Sequence, residues 1–526
     1  MPSMLKSSLW VLLALVAVIL LPVALRSRQA VSRAADEMLV IVSPHNEAVR
    51  YEFDRAFTAA HFQRTGRTVR IDWRTPGGTS EIARYLASSY LGAFQYYWES
   101  QQHQPWNAEV EAAFDNPRVA GGNEALAARS RKAFLESNVS SGIDLFFGGG
   151  SFDFAQQAAA GRLVACDVLG DPQKFSQSLC HFPQTVGGEA YWDPQGRWAG
   201  AALSAFGICV NTDALRRVGF PDMPERWSAL ADLRLKRTVA LADPTQSGSA
   251  AKAFEMLIQQ QIAEAGGDPA EGWNRAMRLI RRISANARYF SDSATRIVWD
   301  VESGDAVAGM AIDFYGRFQS EAVRHADGTS RLRYFTPAGG SSFGADPIGM
   351  LRGAPSPELA REFIAFVLSP EGQKLWNWKV GTPGGPQKYA LRRLPVRPEL
   401  YAPEFAQYRS DPDVAPFAWA KQNPPYHPEW TAALFRTISF VIQAMAIDPH
   451  DELSEAWEAL IAAGFPPQAT ALFDDVSAVD YTAATVSIKP TLNSAQKIDR
   501  TRLANRLCNQ FREQYRCVTA LAREGK

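Results

Sequence analysis

The chain has 526 residues, of which 46% are hydrophobic and 21% charged, a composition typical of soluble globular proteins. At roughly 100 to 200 residues per domain, this length predicts about three folded units. Because 55 Lys and Arg residues balance 55 Asp and Glu residues, the chain lacks the net positive charge that gathers nucleic acid by counterion release, and we expect no nucleic-acid partner.

The first segment of the chain is not globular in character. Residues 9–25 carry no charge and lie between Lys6 and Arg26. The length of this apolar run falls between that of a signal-peptide core and that of a full membrane span. Residues 1–34 are therefore predicted to be a signal peptide or an N-terminal membrane anchor, and both alternatives stay open. In either case we expect the remainder in the periplasm, tethered to the inner membrane if residues 9–25 are retained.

The cysteines are consistent with export. Cys166 and Cys180 flank a polar loop, and we predict a disulfide between them, worth about 3 kcal/mol for a loop of this length. Cys508 and Cys517 lie in a stretch with helical periodicity, which would separate them by about 13 Å and prevent a bond unless the helix breaks. Cys209 lies in an apolar run and is predicted to be a buried small hydrophobe.

The first part of the globular chain repeats a strand, a loop and a helix three times. The strands are predicted at 38–43, 68–73 and 143–147, and the helices at 47–60, from Ile82 and from Asp153. A helical insertion, rich in Gln, Asn, Ala and aromatic residues, is predicted between the second and third units. This alternation indicates an α/β architecture with a largely parallel sheet, in which the loops at the carboxyl ends of the strands gather in one crevice.

A second α/β unit follows, and the amino-acid composition changes after it. Strands are predicted at 202–210, 238–241, 307–312, 334–337 and 345–351, and helices at 224–235, 251–264, 272–285 and 357–368. From Tyr401 to Pro428 proline is frequent, and helices are predicted at 429–445, 452–463 and at the basic C-terminus.

Five loops place Gly, Ser or Thr where a helix should begin. Free backbone N–H groups and the positive end of a helix make such a loop a candidate anion site, although an ordinary helix cap explains any one of them alone. Convergence of several N-termini on one cleft would hold a small anionic solute. The candidate ligand-binding residues are Ser43, His45, Asn46, Thr79, Ser80, Gly150, Ser151, Ser247, Gly248, Ser249 and Ser293.

Eight short motifs occur in an order that is similar to the extracellular solute-binding proteins of bacterial ABC importers. They are MLVIVSPH from Met38, GTSEI from Gly78, DLFFGG from Asp144, NTD from Asn211, PERWSAL from Pro224, DP at Asp243, GDAVAG from Gly304 and LSPEGQ from Leu368. The resemblance runs from about Met38 to Tyr401. Within that family the chain most resembles the iron(III)-type group, which includes binders of phosphonates and sugar phosphates.

This resemblance implies a two-lobed α/β fold of the periplasmic-binding-protein type II that closes on its solute like a hinged clamp. We assign residues 38–205 plus 333–400 to lobe one, 206–332 to lobe two and 401–526 to a helical C-terminal extension. We expect the extension to pack on lobe one, because a proline-studded run rather than a flexible linker precedes it. An independent domain is the alternative.

The same resemblance bears on the solute and the partners. Iron binders of the family carry two adjacent tyrosines where this chain has Phe314 and Tyr315, which counts against a bare ferric ion but leaves a ferric chelate open. Tyr315 and Asp313 are further candidate contacts, although Asp313 is favoured as a helix cap. The resemblance implies a monomer that carries a small anionic solute, phosphorylated, phosphonate or chelate in type, to a membrane permease with a separate ATPase subunit.

Enzymatic alternatives have weak support in the sequence. Ser249 and Lys252 match the Ser-x-x-Lys pattern of penicillin-recognising enzymes, but the pattern recurs at Ser3 and at Ser494. The sequence has no His-Glu-x-x-His, Cys-x-x-Cys or Walker A motif. We therefore expect no catalytic activity, metal or cofactor, and keep a membrane-tethered solute sensor as the second candidate.

Overall fold

The computed structural model describes residues 35–119, 125–167, 182–220, 222–494 and 496–524. The predicted signal peptide or anchor lies outside the described residues. Cys180 lies outside them too, so the disulfide with Cys166 stays a prediction.

The helices and strands follow the predicted α/β alternation. Residues 37–204 form β1 (Glu37–Val42), α1 (Glu47–Thr65), β2 (Val69–Arg74), α2 (Thr79–Ser100), α3 (Ala108–Ala113), α4 (Leu126–Glu136), β3 (Leu145–Phe147), α5 (Ser151–Ala160), β4 (Thr185–Val186), β5 (Glu189–Ala190) and β6 (Ala199–Ser204). Residues 206–335 form β7 (Phe206–Asn211), α6 (Thr212–Arg217), β8 (Val239–Ala242), α7 (Gly248–Glu264), α8 (Pro269–Ala285), β9 (Ala287–Ser291), α9 (Ala294–Ser303), β10 (Ala308–Ile312), α10 (Asp313–Ala322) and β11 (Leu332–Phe335).

The chain then returns to the first sheet and ends in helices. These elements are β12 (Gly344–Met350), α11 (Pro357–Leu368), α12 (Pro370–Asn377), β13 (Leu394–Pro395), α13 (Pro416–Gln422), α14 (Pro428–Thr431), α15 (Phe435–Ile442), α16 (His450–Ala463), α17 (Pro467–Asp474), α18 (Lys489–Leu492) and α19 (Lys497–Glu524). Short 3-10 and π turns join several of them, most of them in the C-terminal region.

Two sheets with equivalent strand orders form the two lobes. The first runs β13-β6-β12-β3-β1-β2 and the second β11-β7-β10-β8-β9. In each, a central strand (β1 or β8) pairs in parallel with two neighbours, and an antiparallel strand (β12 or β7) pairs with one of those neighbours. The predicted two-lobed α/β fold of type II, with a helical C-terminal region, is confirmed.

Burial explains why these segments are strands. Residues 39–42 of β1 are all buried, because helices cover both faces of a central parallel strand and the sequence there is continuously apolar. The edge strand β2 alternates between buried and exposed residues at its start. The helix that follows β1 is capped by Asn46, whose side chain accepts from the N–H of Val49 at 3.1 Å.

The chain crosses between the sheets at two places. The predicted single strand 202–210 is in fact two strands, since the fully buried Ala205 separates β6 in one sheet from β7 in the other. The second crossing lies between β11 and β12, so the second sheet extends to Phe335 rather than ending at the predicted Leu332. The Ser341 hydroxyl accepts from the N–H of Phe206 at 3.1 Å and donates to its carbonyl at 2.6 Å, which ties the two crossings together.

The helix predicted at 224–235 is replaced by two short 3-10 turns, Trp227–Ala231 and Leu233–Leu235. Asp232 separates them in an extended conformation, and its carboxylate accepts from the N–H of Arg234 at 2.9 Å. An aspartate that bonds to its own neighbouring backbone competes with a helix, which is the physical reason for the difference.

The predicted packing of the extension on lobe one is wrong for its larger part. Apolar side chains from α15, α16, α17 and α19 share one buried cluster with lobe two. Two indole N–H groups bridge the two regions at 2.9 Å: Trp273 donates to the carbonyl of Val479, and Trp457 donates to the side chain of Asn286. The sequence shows which helical faces are apolar but not which lobe covers them, and in the structure buried side chains of α8 in lobe two pack against them.

The start of the extension lies on lobe one. Tyr401 donates from its hydroxyl to the carbonyl of Pro395 at 2.8 Å, and the ring of Trp419 meets that of Phe343 at 5.4 Å. Among the described residues, the segment Pro428–Ile447 is long and apolar enough to span a membrane, and half of it is buried inside the protein.

The cysteines behave as their sequence context indicates. The helix α19 runs unbroken past Cys508 and Cys517, so the two thiols stay apart. Cys209 is fully buried, and burial raises the pKa of its thiol to about 12.

We expect Phe511→Ala to destabilise lobe two. The Phe511 ring is fully buried within the cluster shared with lobe two, and its removal should cost about 3–5 kcal/mol. Urea denaturation gives the change in the free energy of unfolding. Hydrogen exchange should show reduced protection in β8 and β10.

Val486→Ala is the matched control, because Val486 lies in the same extension and is 72% exposed. It should change stability by no more than about 0.5 kcal/mol. Reduced protection confined to lobe one, or an unchanged free energy for Phe511→Ala, would contradict the shared core.

Candidate functional site

A cleft of about 710 Å³ lies between the two sheets. Lobe one lines it with loops after β1, β2 and β3, and lobe two with loops after β8, β9 and β10, so the predicted crevice at the carboxyl ends of the strands is present. Residues of the extension also line it, namely Tyr426, Pro428, Ala432 and Phe435. A volume of this size fits an organic molecule rather than a single ion.

Six helix N-termini reach the cleft, three from each lobe: those of α1, α2 and α5, and those of α7, α9 and α10. The helices α2 and α5 follow Gly78 and Gly150, and α9 follows Ser293; none of these three has a side-chain cap. On α7 the Ser247 hydroxyl accepts from the N–H of Ala250 at 3.2 Å. The first turns of the three uncapped helices therefore offer backbone N–H groups and a partial positive charge to a bound anion.

A buried charged cluster forms one wall of the cleft. Arg393, Asp346 and His45 are each less than 9% exposed. The Arg393 guanidinium pairs with Asp346 and lies 3.0 Å from His45 Nε2, which is itself 3.2 Å from the carboxylate. The same carboxylate accepts from the backbone N–H of Gly149, which positions the loop before α5.

The protonation states of this cluster follow from burial and pairing. Burial lowers the pKa of His45 despite the neighbouring Asp346, so the imidazole is neutral. Burial alone would raise the pKa of Asp346, but Arg393 and His45 hold it below its usual value. The cluster therefore presents a paired arginine and carboxylate rather than a free negative charge.

A second buried network joins the two lobes and the extension. The Lys252 amine on α7 lies 2.9 Å from Glu189 of β5 and 2.9 Å from Glu255 of its own helix. Tyr426 donates to Glu255 at 2.9 Å, and its ring lies 3.6 Å from the Lys252 nitrogen. Thr431 also donates to Glu255, at 2.7 Å.

This network argues against the Ser-x-x-Lys reading. Burial alone would lower the pKa of Lys252, but Glu189 and Glu255 raise it above its usual value. A lysine held protonated between two carboxylates cannot take a proton from Ser249 as a general base. Ser249 does line the cleft, but the arrangement around it suits ligand contact rather than catalysis.

Asp153 lies in the first turn of α5 and lines the cleft. Burial raises the pKa of its carboxyl to about 7, against a weaker opposing contribution from the backbone of Gly150. Gly248 of lobe two faces it closely: a β-carbon there would stand 3.8 Å from the Asp153 carboxylate and 4.0 Å from the Thr79 hydroxyl. Asp153 is therefore a carboxyl that titrates near physiological pH at a place where lobe one closely approaches Gly248 of lobe two.

Most of the predicted ligand-binding residues meet at the cleft. The lining includes His45, Asn46, Thr79, Gly150, Ser151, Ser247, Gly248, Ser249, Ser293 and Tyr315. The Ser293 hydroxyl is 2.7 Å from that of Thr295, and burial raises the pKa of Tyr315.

Three predicted residues do not line the cleft. Ser43 is fully buried, and its hydroxyl accepts from the N–H of His45 at 3.1 Å. Ser80 is half-buried on α2. Asp313 is fully buried, pairs with Arg317 at 2.9 Å and accepts from the N–H of Phe314, so it is a structural cap, and burial raises its pKa.

Sequence reasoning missed several lining residues: Asp153, Glu189, Lys252, Asp346, Arg393, Tyr426 and Phe435. Arg393 and Asp346 come from the return of the chain to the first sheet, far from the loops after parallel strands. Phe435 lies in a segment whose sequence shows no pattern that indicates ligand binding. Only the helical position of Asp153, in the same first turn as Ser151, could have pointed to the cleft. Among the described ranges, no group of three His, Cys, Asp or Glu could hold a metal ion.

We expect Lys252→Met to destabilise the protein by about 3–5 kcal/mol, because it leaves two buried carboxylates without a cation. Chemical denaturation at pH 7 measures the loss. Lys132→Met is the control, since Lys132 is 59% exposed and lies 3.9 Å from Glu136; it should cost less than about 1 kcal/mol. Equal effects of the two substitutions would show that the network does not link the lobes and the extension.

Asp153 should make the stability pH-dependent. Its folded pKa of about 7 lies above the usual 3.8, so the folded state binds the extra proton and this contribution to stability is lost as the pH rises towards 7. Urea denaturation should show that the wild type loses unfolding free energy between pH 5 and pH 8. In Asp153→Asn this loss should be smaller by about half or more.

Asp213→Asn is the control for this measurement, because Asp213 lies on α6 outside the cleft with a side chain that is 48% exposed. It should leave the pH profile as in the wild type. An unchanged slope in Asp153→Asn would mean that the carboxyl is ionised in the folded state at pH 5.

Comparison with known proteins identifies the architecture around this cleft. Residues 138–397 match the family described as bacterial extracellular solute-binding protein. This match confirms the resemblance that the ordered motifs predicted. It covers the return to the first sheet and all of the second, and it ends before the extension begins.

Curated relatives share part of the chain. An uncharacterized protein of Haemophilus influenzae is 27% identical over 242 residues, 45% of this chain and 61% of that protein. The phosphoglycerate transport regulatory protein PgtC of Salmonella typhimurium is 25% identical over 174 residues, 33% and 39% of the two chains. A putrescine/agmatine-binding protein of Pseudomonas aeruginosa is 24% identical over 217 residues, 40% and 58%. The chain thus spans less than two thirds of each relative.

Among solved structures, the chain is similar to the periplasmic binding protein AfuA from Actinobacillus pleuropneumoniae with fructose-6-phosphate bound. It is 18% identical, with a TM-score of 0.42 over 65% of this chain and 82% of that one.

Proposed function

Since the chain belongs over residues 138–397 to the bacterial extracellular solute-binding proteins, we propose that it is the solute-binding component of an ABC importer and that it captures a small anionic solute. The observation that carries this proposal is the convergence of helix N-termini from both lobes, those of α2, α5, α7 and α9 among them, on one cleft. It works in the periplasm as a monomer and delivers the solute to a membrane permease with a separate ATPase subunit.

The charges of the cleft support an anion over a cation. Its buried carboxylates at Asp346, Glu189 and Glu255 are already paired with Arg393 or Lys252. The N-termini of α2, α5 and α9 carry positive partial charge that no cap side chain satisfies. The relatives include proteins named for phosphoglycerate and for putrescine or agmatine, so their names alone do not choose between the two signs of charge.

A thermal-shift screen tests whether the solute is an anion or a cation. Sugar phosphates, aminoethylphosphonate or ferric citrate should raise the melting temperature, because a ligand that binds only the folded state stabilises it by RT ln(1 + [L]/Kd), about 2.7 kcal/mol at 100 times Kd. If only polyamines or uncharged sugars raised it, the anion proposal would be wrong.

Ser151→Pro tests the N-terminal donors directly. Proline is tolerated at the first position of a helix but removes its N–H, and the extended Gly150 before it, with ψ of 152°, accommodates proline. We expect the Kd of the best anion to rise about tenfold or more, since hydrogen bonds to charged groups contribute about 1.5–3 kcal/mol. Isothermal titration calorimetry measures it.

Ser151→Ala is the matched control: it removes the hydroxyl and keeps the backbone N–H. A weaker effect than that of proline assigns the contact to the backbone. If both variants bound like the wild type, α5 would not hold the anion.

A membrane-tethered solute sensor is the second candidate. It is favoured by the extension, which lies outside the family match, and by a relative named as a transport regulatory protein. The importer proposal requires the solute-loaded protein to stimulate ATP hydrolysis by its reconstituted permease and ATPase, and a sensor would leave that rate unchanged.

A further inference from the structure

The C-terminal extension reaches the cleft although it lies outside the family match. Tyr426, Pro428, Ala432 and Phe435 line the cleft, whereas the match ends at residue 397. These four residues form a wall of the cleft that lies outside the matched part of the chain.

An aromatic pair places this wall beside the candidate anion site. The ring of Phe435 lies 4.5 Å from that of Phe152, centre to centre. Phe152 directly follows Ser151, at the N-terminus of α5. A solute whose anionic group meets the N-terminus of α5 therefore has its remaining atoms next to two aromatic rings.

The wall is held rigidly on both sides. The N–H of Tyr426 donates to the carbonyl of Gly187 at 2.8 Å. A β-carbon at Gly188 would stand 1.8 Å from the carbonyl oxygen of Tyr426, so only glycine allows this approach. On the other side Ile438, on the same helix as Phe435, is fully buried in the cluster shared with lobe two.

The polar groups near this wall are already occupied. Glu255 accepts from Tyr426 and Thr431 and pairs with Lys252. The extension therefore offers the solute carbon surface rather than hydrogen bonds. Aromatic rings of this kind favour ligands with an apolar or carbon-rich face.

We propose that the extension is the selectivity wall of the cleft, and that Phe435 contacts the carbon-rich part of an organic anion. Inorganic phosphate would fill only a small part of a cleft of about 710 Å³ and would leave both rings without a contact to the solute. This inference rests on the proposed capture of an anion and adds the class of anion.

The test compares probes that share a phosphate group and differ in carbon: inorganic phosphate, glucose 6-phosphate and phenyl phosphate. Isothermal titration calorimetry on the full chain should show at least one organic phosphate binding about tenfold or more tighter than inorganic phosphate. Phe435→Ala should reduce that preference to about threefold or less, and Phe435→Leu, which keeps an apolar side chain, should retain part of it.

Phe440→Ala is the matched control, because Phe440 lies on the same helix and does not line the cleft. It should keep the wild-type preference. Circular dichroism and the melting temperature without ligand show that each variant is folded.

The outcomes separate this inference from the proposed function. Equal affinity for inorganic and organic phosphates, or an equal effect of Phe435→Ala and Phe440→Ala, overturns the selectivity wall and leaves anion capture in place. If no probe binds the wild type, anion capture by this cleft fails, and the selectivity wall fails with it.

Discussion

Parallel strands end at one edge of a sheet, and this constraint decides where the chemistry of the molecule can lie. In both lobes a central strand with two parallel neighbours directs its following helices back along the sheet, so their N-termini open at the same edge. The chain crosses between the sheets at Ala205 and again before β12, and Ser341 ties these crossings together. The two edges consequently face each other, and the helix ends of one lobe have those of the other as their nearest neighbours.

Facing helix ends of the same sign repel unless something between them is negative. The protein supplies part of that charge itself, with Asp346 of β12 bonded to the loop before α5 and Asp153 within the first turn of α5. Arg393 neutralises the first of these carboxylates, and burial raises the pKa of the second to about 7. Neither is therefore a full counter-charge at neutral pH, and the remaining positive potential is available to a bound solute.

The sequence predicted those features that depend on local pattern. Continuous apolar runs marked the buried parallel strands, and small residues after them marked the loops that line the cleft, from Asn46 to Ser293. Features that depend on which surfaces meet were not predictable in this way. The apolar faces of the extension fit either lobe by sequence, and Arg393 joins the cleft only through the return of the chain to the first sheet. Asp313 was a candidate contact for which a helix cap was favoured, and the cap is confirmed, since its buried side chain pairs with Arg317 and accepts from the N–H of Phe314.

The extension also changes how the two lobes are connected. Besides the two crossings, the extension forms a third link between the lobes. Its residue Trp419 packs against Phe343 of lobe one, and the side chain of Asn423 accepts from the N–H of Gly339. The helices that follow are part of the core of lobe two. This link passes beside the second crossing, and the contact of Phe435 with Phe152 adds a restraint between the lobes at the cleft. Because α15 is part of the lobe-two core, a rotation that separates the lobes also carries Phe435 away from Phe152. The segment that we propose as the selectivity wall thus also lies beside the second crossing between the lobes.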